Sequence, residues 1–200
     1  MLGQRDSGGS MYIEPKPAST VVILREGDST LEVLLLLRNS TLSFKGGHWV
    51  FPGGKVDPDD YPDEAGQEHY LAACNAVIRE TEEEAGIDIS TERLQHISHW
   101  TTPEGGPKRY ATWFFVCQLS QQVDITVDND EILDHCWMSP EQALAACEAG
   151  ELKLPVPTLK TLRRLAPIDD FAALEQHLSE SEVYLFPPES PFYPSHCVPR

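Results

Sequence analysis

Two apolar runs dominate the first fifth of the chain. "ASTVVILR" (18 to 25) and "EVLLLLR" (32 to 38) are β-branched or leucine-rich, and a turn-like stretch that includes "EGDST" separates them. Such runs, bounded by turn residues, predict two strands joined as a buried hairpin. After "NSTLSFKGG", "HWVF" reads as a further short strand, then come the turn-forming "PGG" and the acidic loop "KVDPDDYPDEAG". From residue 69 the pattern becomes helical: "HYLAACNAVI" runs into "RETEEEAGI", with Gly86 where a helix stops. "LQHISHWTT" and "RYATWFFVCQL" (109 to 119) then read as strands flanking "PEGGPK", and "DNDEILDHCWMSP" carries a short strand near Trp137.

The last third is helical by the same criterion. Ser139 is an N-cap followed by Pro140 at the first helical position, Glu141 in the first turn and Gln142 at the capping-box place. "PTLKTLRRLA" and "IDDFAALEQHLSE" read as two amphipathic helices, the first with Leu159, Leu162 and Leu165 on one face. Pro187, Pro188, Pro191, Pro194 and Pro199 follow, a density that rules out helix and favours extended chain. With no internal repeat and no dividing linker, residues 11 to 186 form one domain and 187 to 200 a proline-rich tail. Residues 1 to 10, rich in Gly and Ser, are set apart as an expression remnant or a disordered N-terminus.

Composition narrows the class. A 200-residue chain with 40% hydrophobic residues suits one globular domain, and no apolar run is long enough to span a bilayer. The start lacks the apolar centre of a signal peptide. Cys74, Cys117, Cys136, Cys147 and Cys197 are odd in number, scattered and without a CxxC, which argues against a disulfide framework or a zinc site. A reducing, cytoplasmic setting fits. The formal net charge of −17 disfavours affinity for nucleic-acid backbone or anionic membrane. A small phosphate-bearing substrate stays compatible, because a divalent metal inverts the local field.

The charge that demands explanation is local. Glu80, Glu82, Glu83 and Glu84 crowd a helix C-terminus, where the backbone is already negative and each acid costs roughly 0.3–1 kcal/mol. Glu80 and Glu84 lie one turn apart on one face, and at about 5.5 Å and an effective dielectric of about 20 they repel by roughly 3 kcal/mol. Arg79 answers Glu83 at i,i+4 but cannot neutralise the group. A further positive charge is needed.

"RETEEEAGI", with "FPGG" upstream, resembles the signature of the Nudix hydrolases, G-x5-E-x7-R-E-U-x-E-E-x-G-U with U aliphatic. Arg79, Glu80, Glu83, Glu84, Gly86 and Ile87 match, and Gly54 takes the first place. Thr81 stands at an aliphatic position, and eighteen residues separate Asp60 from Arg79 against seven in the pattern. Asp60, Glu64 and Glu68 are the alternatives for the first glutamate. "GHWVFPGGKVDPDD" is similar to the branch that includes coenzyme A diphosphatases, through Gly47, Phe51, Pro52, Gly53 and Gly54, with Asp57 and Asp60 behind; Arg38 is present upstream, and Ser43 occupies a later arginine's place.

The resemblance implies an α+β fold, an α/β/α sandwich with a mixed central sheet. It implies metal-dependent cleavage of the diphosphate of a nucleoside diphosphate derivative, with coenzyme A or acyl-CoA leading and ADP-ribose or NADH as the alternative. A non-catalytic binding or regulatory module on the same fold is the rival of another class. The implied metal set is Gly54, Glu80, Glu83 and Glu84, with Arg79 orienting Glu83 and Glu131 as general base or extra ligand. Arg38, Lys108 and Arg109 are the substrate-gripping candidates, weighed against an ordinary exposed basic pair for the last two. His48 and His99, beside tryptophans, read as packed strand residues rather than bases, and Trp49, Trp100 and Trp113 as core. Nucleic acid and membrane are excluded as partners, and a homodimer is left open.

Overall fold

A computed structural model describes residues 12–62, 68–90, 92–119 and 121–198. The two opening runs form β1 (Lys16–Glu26) and β2 (Leu31–Arg38), paired antiparallel around the turn at Leu24↔Val33, Arg25↔Glu32 and Glu26↔Leu31. Val21 to Leu24 and Val33 to Leu36 are all fully buried, so both faces of the hairpin are covered and neither run alternates. Beyond Leu24 the two strands diverge. The fork is filled by β3 (Trp49–Val50), which pairs with Leu36 and Leu37, and by β4 (Gly53–Lys55), which pairs with Ala18 to Thr20. The expected turn at Gly53–Gly54 is therefore a strand edge. On the outer edges, β6 (Tyr110–Gln118) runs parallel to β1, and β7 (Ile132–Met138) runs antiparallel to β2. β5 (Gln95–Thr101) pairs antiparallel with β6 and completes a mixed sheet.

Helices cover both faces. α1 (Glu68–Ala85) lies on one side, where Ala73 and Val77 meet Val21, Ile23, Leu34, Leu36, Trp113 and Phe115. Its buried stripe includes Ala72, Ala73, Ala76, Val77 and Thr81, small residues that let the helix sit close to the sheet. Thr81 is tolerated there because its hydroxyl donates to the Val77 carbonyl at 2.6 Å. The other face carries α2 (Pro140–Glu148), α3 (Val156–Leu165) and α4 (Phe171–Glu180), whose Ala143, Leu162, Leu165 and Leu174 meet Val22, Leu24, Val33 and Leu35. The arrangement is the expected α/β/α sandwich. The Ser139 capping box forms in full, with Gln142 N–H on Ser139 Oγ and Ser139 N–H on Gln142 Oε1. Gly86 ends α1 at φ +70°.

Three expectations change. α3 buries Thr158, Thr161, Leu162 and Leu165, and Leu159 is only half-buried, so the face is rotated from the leucine stripe. The chain before the prolines adds β8 (Tyr184–Phe186), parallel to β5, and the proline-rich segment makes a 3-10 turn at Ser195–Cys197 instead of staying extended throughout. That segment also folds back: the Tyr193 ring lies 5.6 Å from His96, 5.1 Å from His99 and 5.6 Å from Trp113, and Ser190 bonds Thr101 at 2.8 Å. Cys74, Cys117, Cys136 and Cys147 are free. Among the described residues no helix is long and apolar enough to cross a membrane.

The tail packing is testable. Tyr193→Ala should lower stability by about 1–3 kcal/mol, read as a fall in the urea midpoint, because it strips an aromatic side chain from three ring contacts. An unchanged midpoint would mean that the segment does not contribute to the core.

Candidate active site

The fork between β1 and β2 is what builds the site. β4 passes directly over the C-terminal turns of α1, and the approach is too close for side chains on the strand. At Gly53, with φ +143°, an added Cβ would overlap the Ser19 carbonyl; at Gly54 it would overlap the Glu80 carboxylate. Gly53 N–H donates to Glu84 Oε2 at 2.9 Å. The α1 stripe that buries Ala73, Val77 and Thr81 arrives at Glu84 next, so helical periodicity carries a carboxylate beneath the sheet, where its side chain is 5% exposed.

Arg79 organises the neighbouring acids. Its Nε and Nη2 grip Asp60 Oδ1 and Oδ2 at 3.1 and 2.9 Å, a bidentate pair. Nη1 reaches Glu80 Oε1 at 3.0 Å and Glu83 Oε2 at 3.1 Å, and Nη2 also donates to the Lys55 carbonyl at 3.2 Å. Asp60 is itself buried, closes a 3-10 turn over Pro58–Asp60 by accepting from Asp57 N–H at 2.8 Å, and through its carbonyl takes Asn75 Nδ2 at 2.9 Å. Asp60, one of the three alternatives for the first signature acid, thus grips Arg79. Glu64 and the side chain of Glu68 lie outside the described residues. Arg79 was expected to orient Glu83; it holds Asp60 and Glu80 as well.

A second arginine comes from β2. Arg38 Nη1 stands 3.5 Å from Glu84 Oε1, and Nη2 stands 3.3 Å from Glu131 Oε2 in the loop before β7. The site therefore holds two guanidiniums among Asp60, Glu80, Glu83, Glu84 and Glu131. Burial pushes the Glu84 carboxyl up to about 8, with Glu80 and Glu131 adding to the rise, against the lowering effects of Gly53 N–H and Arg38. Burial also raises Glu80 despite Arg79. For Asp60 burial works upward too, but the bonds from Arg79 and Asp57 N–H and the Arg79 charge outweigh it and hold the group below the usual carboxylate range.

Other residues fall elsewhere. Glu83 has a side chain 60% exposed, turned to Arg79, and Glu131 is 57% exposed. Lys108 is exposed and donates to Ser43 Oγ at 2.7 Å. Arg109, expected to grip phosphate, is buried instead, and its guanidinium holds the carbonyls of Thr102 at 3.0 Å and Ile13 at 2.7 Å. It ties the start of the described chain to the β5–β6 connection. His48 sits in the loop before β3 rather than in a strand, with Nδ1 3.2 Å from the Gly46 carbonyl. His99 is packed in β5 as expected, and burial lowers it to about 4. Trp100 and Trp113 are core, and Trp49 packs half-buried against it. A cleft of about 620 Å³ opens at the far end of β1, lined by Arg25, Arg93, Gln118, Phe171 and Glu175 among others. Its arginines pair with Glu32 and Glu175, and none of the site carboxylates lines it.

Among the described residues no three His, Cys, Asp or Glu side chains converge as a preformed metal cluster. The cause is visible: Arg79 draws Glu80 and Glu83 to itself, and Arg38 faces Glu84. The donor set nevertheless suits a hard cation, with Glu80 pressed under a glycine strand and Glu84 buried one turn away.

Comparison with known proteins follows this geometry. A family model described as NUDIX domain matches residues 14–159. Nudix hydrolase 7 of Caenorhabditis elegans is 26% identical over 194 residues, covering 80% of this chain and 64% of that protein. The human acyl-coenzyme A diphosphatase NUDT19 is 35% identical over 110 residues, 53% of this chain and 26% of that protein. The chain thus spans less than two thirds of the length of these relatives. The crystal structure of a NUDIX hydrolase from Alicyclobacillus acidocaldarius superposes with a TM-score of 0.72 at 23% identity, covering 83% of this chain and 96% of that one. With the family model covering most of its length, and with its fold shared, the chain belongs to the NUDIX family.

Proposed function

We propose that the chain is a divalent-metal-dependent hydrolase that cleaves the diphosphate of a nucleoside diphosphate derivative, with coenzyme A or an acyl-CoA as the leading substrate. The observation that carries the reading is Glu84, a carboxylate buried against Gly53 N–H one turn from Glu80, with its pKa raised to about 8. A solvated acidic helix end would not bury that side chain at a cost of several kcal/mol. Support for the coenzyme A choice comes from the likeness to an acyl-coenzyme A diphosphatase over about half the chain. ADP-ribose or NADH is the second reading, favoured by Ser43 standing where an arginine is expected in the coenzyme A branch.

Glu80 and Glu84 would hold the cation, Mg²⁺ or Mn²⁺, with Glu83 and the Gly54 carbonyl as further ligands. A bound cation would neutralise charge gathering on the phosphoryl oxygens and lower the pKa of water. Arg79 orients Glu80 and Glu83. Glu131, exposed at the edge of the site, would take the proton of the water that attacks phosphorus as the bridging P–O bond breaks. Coenzyme A cleaved in this way yields 3′,5′-ADP and a phosphopantetheine fragment. Lys108, brought to Ser43, supplies a cation for substrate phosphate.

Turnover of coenzyme A, an acyl-CoA, ADP-ribose and NADH should vanish in excess EDTA and return with Mg²⁺ or Mn²⁺, monophosphate products being resolved by chromatography. Undiminished turnover in EDTA would contradict the metal. Glu84→Gln should cut kcat by about 10²–10³-fold, because an amide is a poor Mg²⁺ ligand and leaves transition-state charge uncompensated. Wild-type rates in this variant would remove Glu84 from the site.

Glu84 gives the metal-free protein a pH-dependent contribution of defined sign. Burial pushes its carboxyl up to about 8 in the folded state against about 4.5 unfolded, so between those values the folded state retains a proton that the unfolded state has lost. That contribution should fall as pH rises through the window and level off above it, by a few kcal/mol in total, while His96 and His99, which burial lowers to about 3 and about 4, act in the opposite sense up to about pH 6.5. The stability difference between wild type and Glu84→Gln, read by chemical denaturation in EDTA at pH 5 and pH 8, isolates the Glu84 contribution and should move against wild type at the higher pH. An equal slope in both proteins would assign the dependence to other groups.

A further inference from the structure

The two arginines of the site are held in different ways. Arg79 is locked by five bonds between 2.9 and 3.2 Å, including the bidentate grip on Asp60. Arg38 is held loosely: its contacts to Glu84 and Glu131 are 3.5 and 3.3 Å, and its buried Nε has no hydrogen-bond partner among the described residues. The backbone at Arg38 is nonetheless well fixed, with its N–H on the His48 carbonyl at 3.0 Å and its carbonyl taking Gly47 N–H at 2.9 Å. A firm backbone under a loosely satisfied guanidinium describes a side chain whose head can exchange partners at little cost.

What it faces matters. Glu84 Oε2 is committed to Gly53 N–H, which leaves Oε1 as the oxygen open to a cation, and Oε1 is the atom that Arg38 confronts. Glu131, on the solvent side, offers the same guanidinium an alternative. Resting on the reading that Glu80 and Glu84 hold a divalent cation, we propose that Arg38 is an exchangeable counter-cation: it compensates Glu84 in the metal-free protein, yields Glu84 Oε1 to the metal, and is thereby released to substrate phosphate. Metal and Arg38 compete for one carboxylate oxygen, so the presence of the guanidinium weakens metal binding. Phosphate that draws Arg38 away strengthens it, and by linkage metal strengthens phosphate binding to the same extent. Arg38 is a positioning and coupling residue in this account, acting on the metal through Glu84.

The test is calorimetric titration of the metal-free full chain with Mg²⁺ at pH 9, where the carboxylates are ionised, comparing wild type, Arg38→Lys and Arg38→Met. Arg38→Met should bind Mg²⁺ about tenfold more tightly, the result of removing one positive charge from beside a divalent ion. Its metal-free melting temperature should fall, since Glu84 and Glu131 lose their compensation. Arg38→Lys keeps the charge and should stay near wild type. A merely structural role has the opposite sign: unchanged or weaker Mg²⁺ binding in Arg38→Met would overturn the proposal. Should Arg38→Met not fold, the Arg38 side-chain N–H signals of the wild type, observed by ¹⁵N NMR, decide the matter. They should shift and exchange faster with solvent on adding Mg²⁺, and unchanged signals at saturating Mg²⁺ would overturn it. Wild type that binds no Mg²⁺ at all defeats the underlying metal reading, a result distinct from either arm of the variant comparison.

Discussion

Glu84 sits where an apolar residue would be cheaper. The stripe of α1 that packs on the sheet arrives at this position by helical periodicity alone, and Gly53 N–H receives the carboxylate beneath β4. Burial of an acid at a helix C-terminus opposes the macrodipole and desolvates the charge together. The surroundings are arranged around that cost. The fork in the hairpin admits β4, two glycines let it pass within reach of the carboxylates, and the end of β2 delivers Arg38. A Cβ at Gly53 would meet the Ser19 carbonyl of β1, and one at Gly54 would displace the Glu80 carboxylate of α1.

Two guanidiniums divide the compensation. Arg79 binds Asp60 through both oxygens and holds Glu80 and Glu83 with its remaining nitrogen, so it fixes the frame of the site. Arg38 stands 3.5 Å from Glu84 and 3.3 Å from Glu131, farther than any of the Arg79 hydrogen bonds. Tight and loose contacts thus fall on different carboxylates, and burial raises the loosely paired Glu84 to about 8. On the proposed metal-dependent reading, this inequality leaves the cluster with net negative charge for a divalent ion.

Local signals carried most of the fold in the sequence. The runs around Val21 to Leu24 and Val33 to Leu36 read as a doubly covered hairpin because both faces are apolar, and Ser139 with Gln142 marked the start of α2 because capping is decided within four residues. The carboxylate cluster was equally legible, since its acids lie within one turn of helix. What escaped is long-range. Gly53 and Gly54 have no strand propensity and became β4 only by pairing with Ser19 and Thr20. Arg38 meets Glu84 across 46 residues, and Arg109 looks like half of an exposed basic pair until Ile13, 96 residues earlier, takes its guanidinium. Tyr184–Phe186 joins the sheet beside β5, a parallel partner that no spacing in the sequence announces.

Burial of Glu84 carries a cost that a bound metal ion would relieve, and proton release on metal binding measures this directly. At pH 7 a carboxyl titrating near 8 is mostly protonated, whereas a metal-bound carboxylate cannot be. Adding saturating Mg²⁺ to metal-free protein in weakly buffered solution should therefore release protons, and Glu84→Gln should release fewer per ion bound. Mg²⁺ binding without proton release, or equal release from both proteins, would contradict the account.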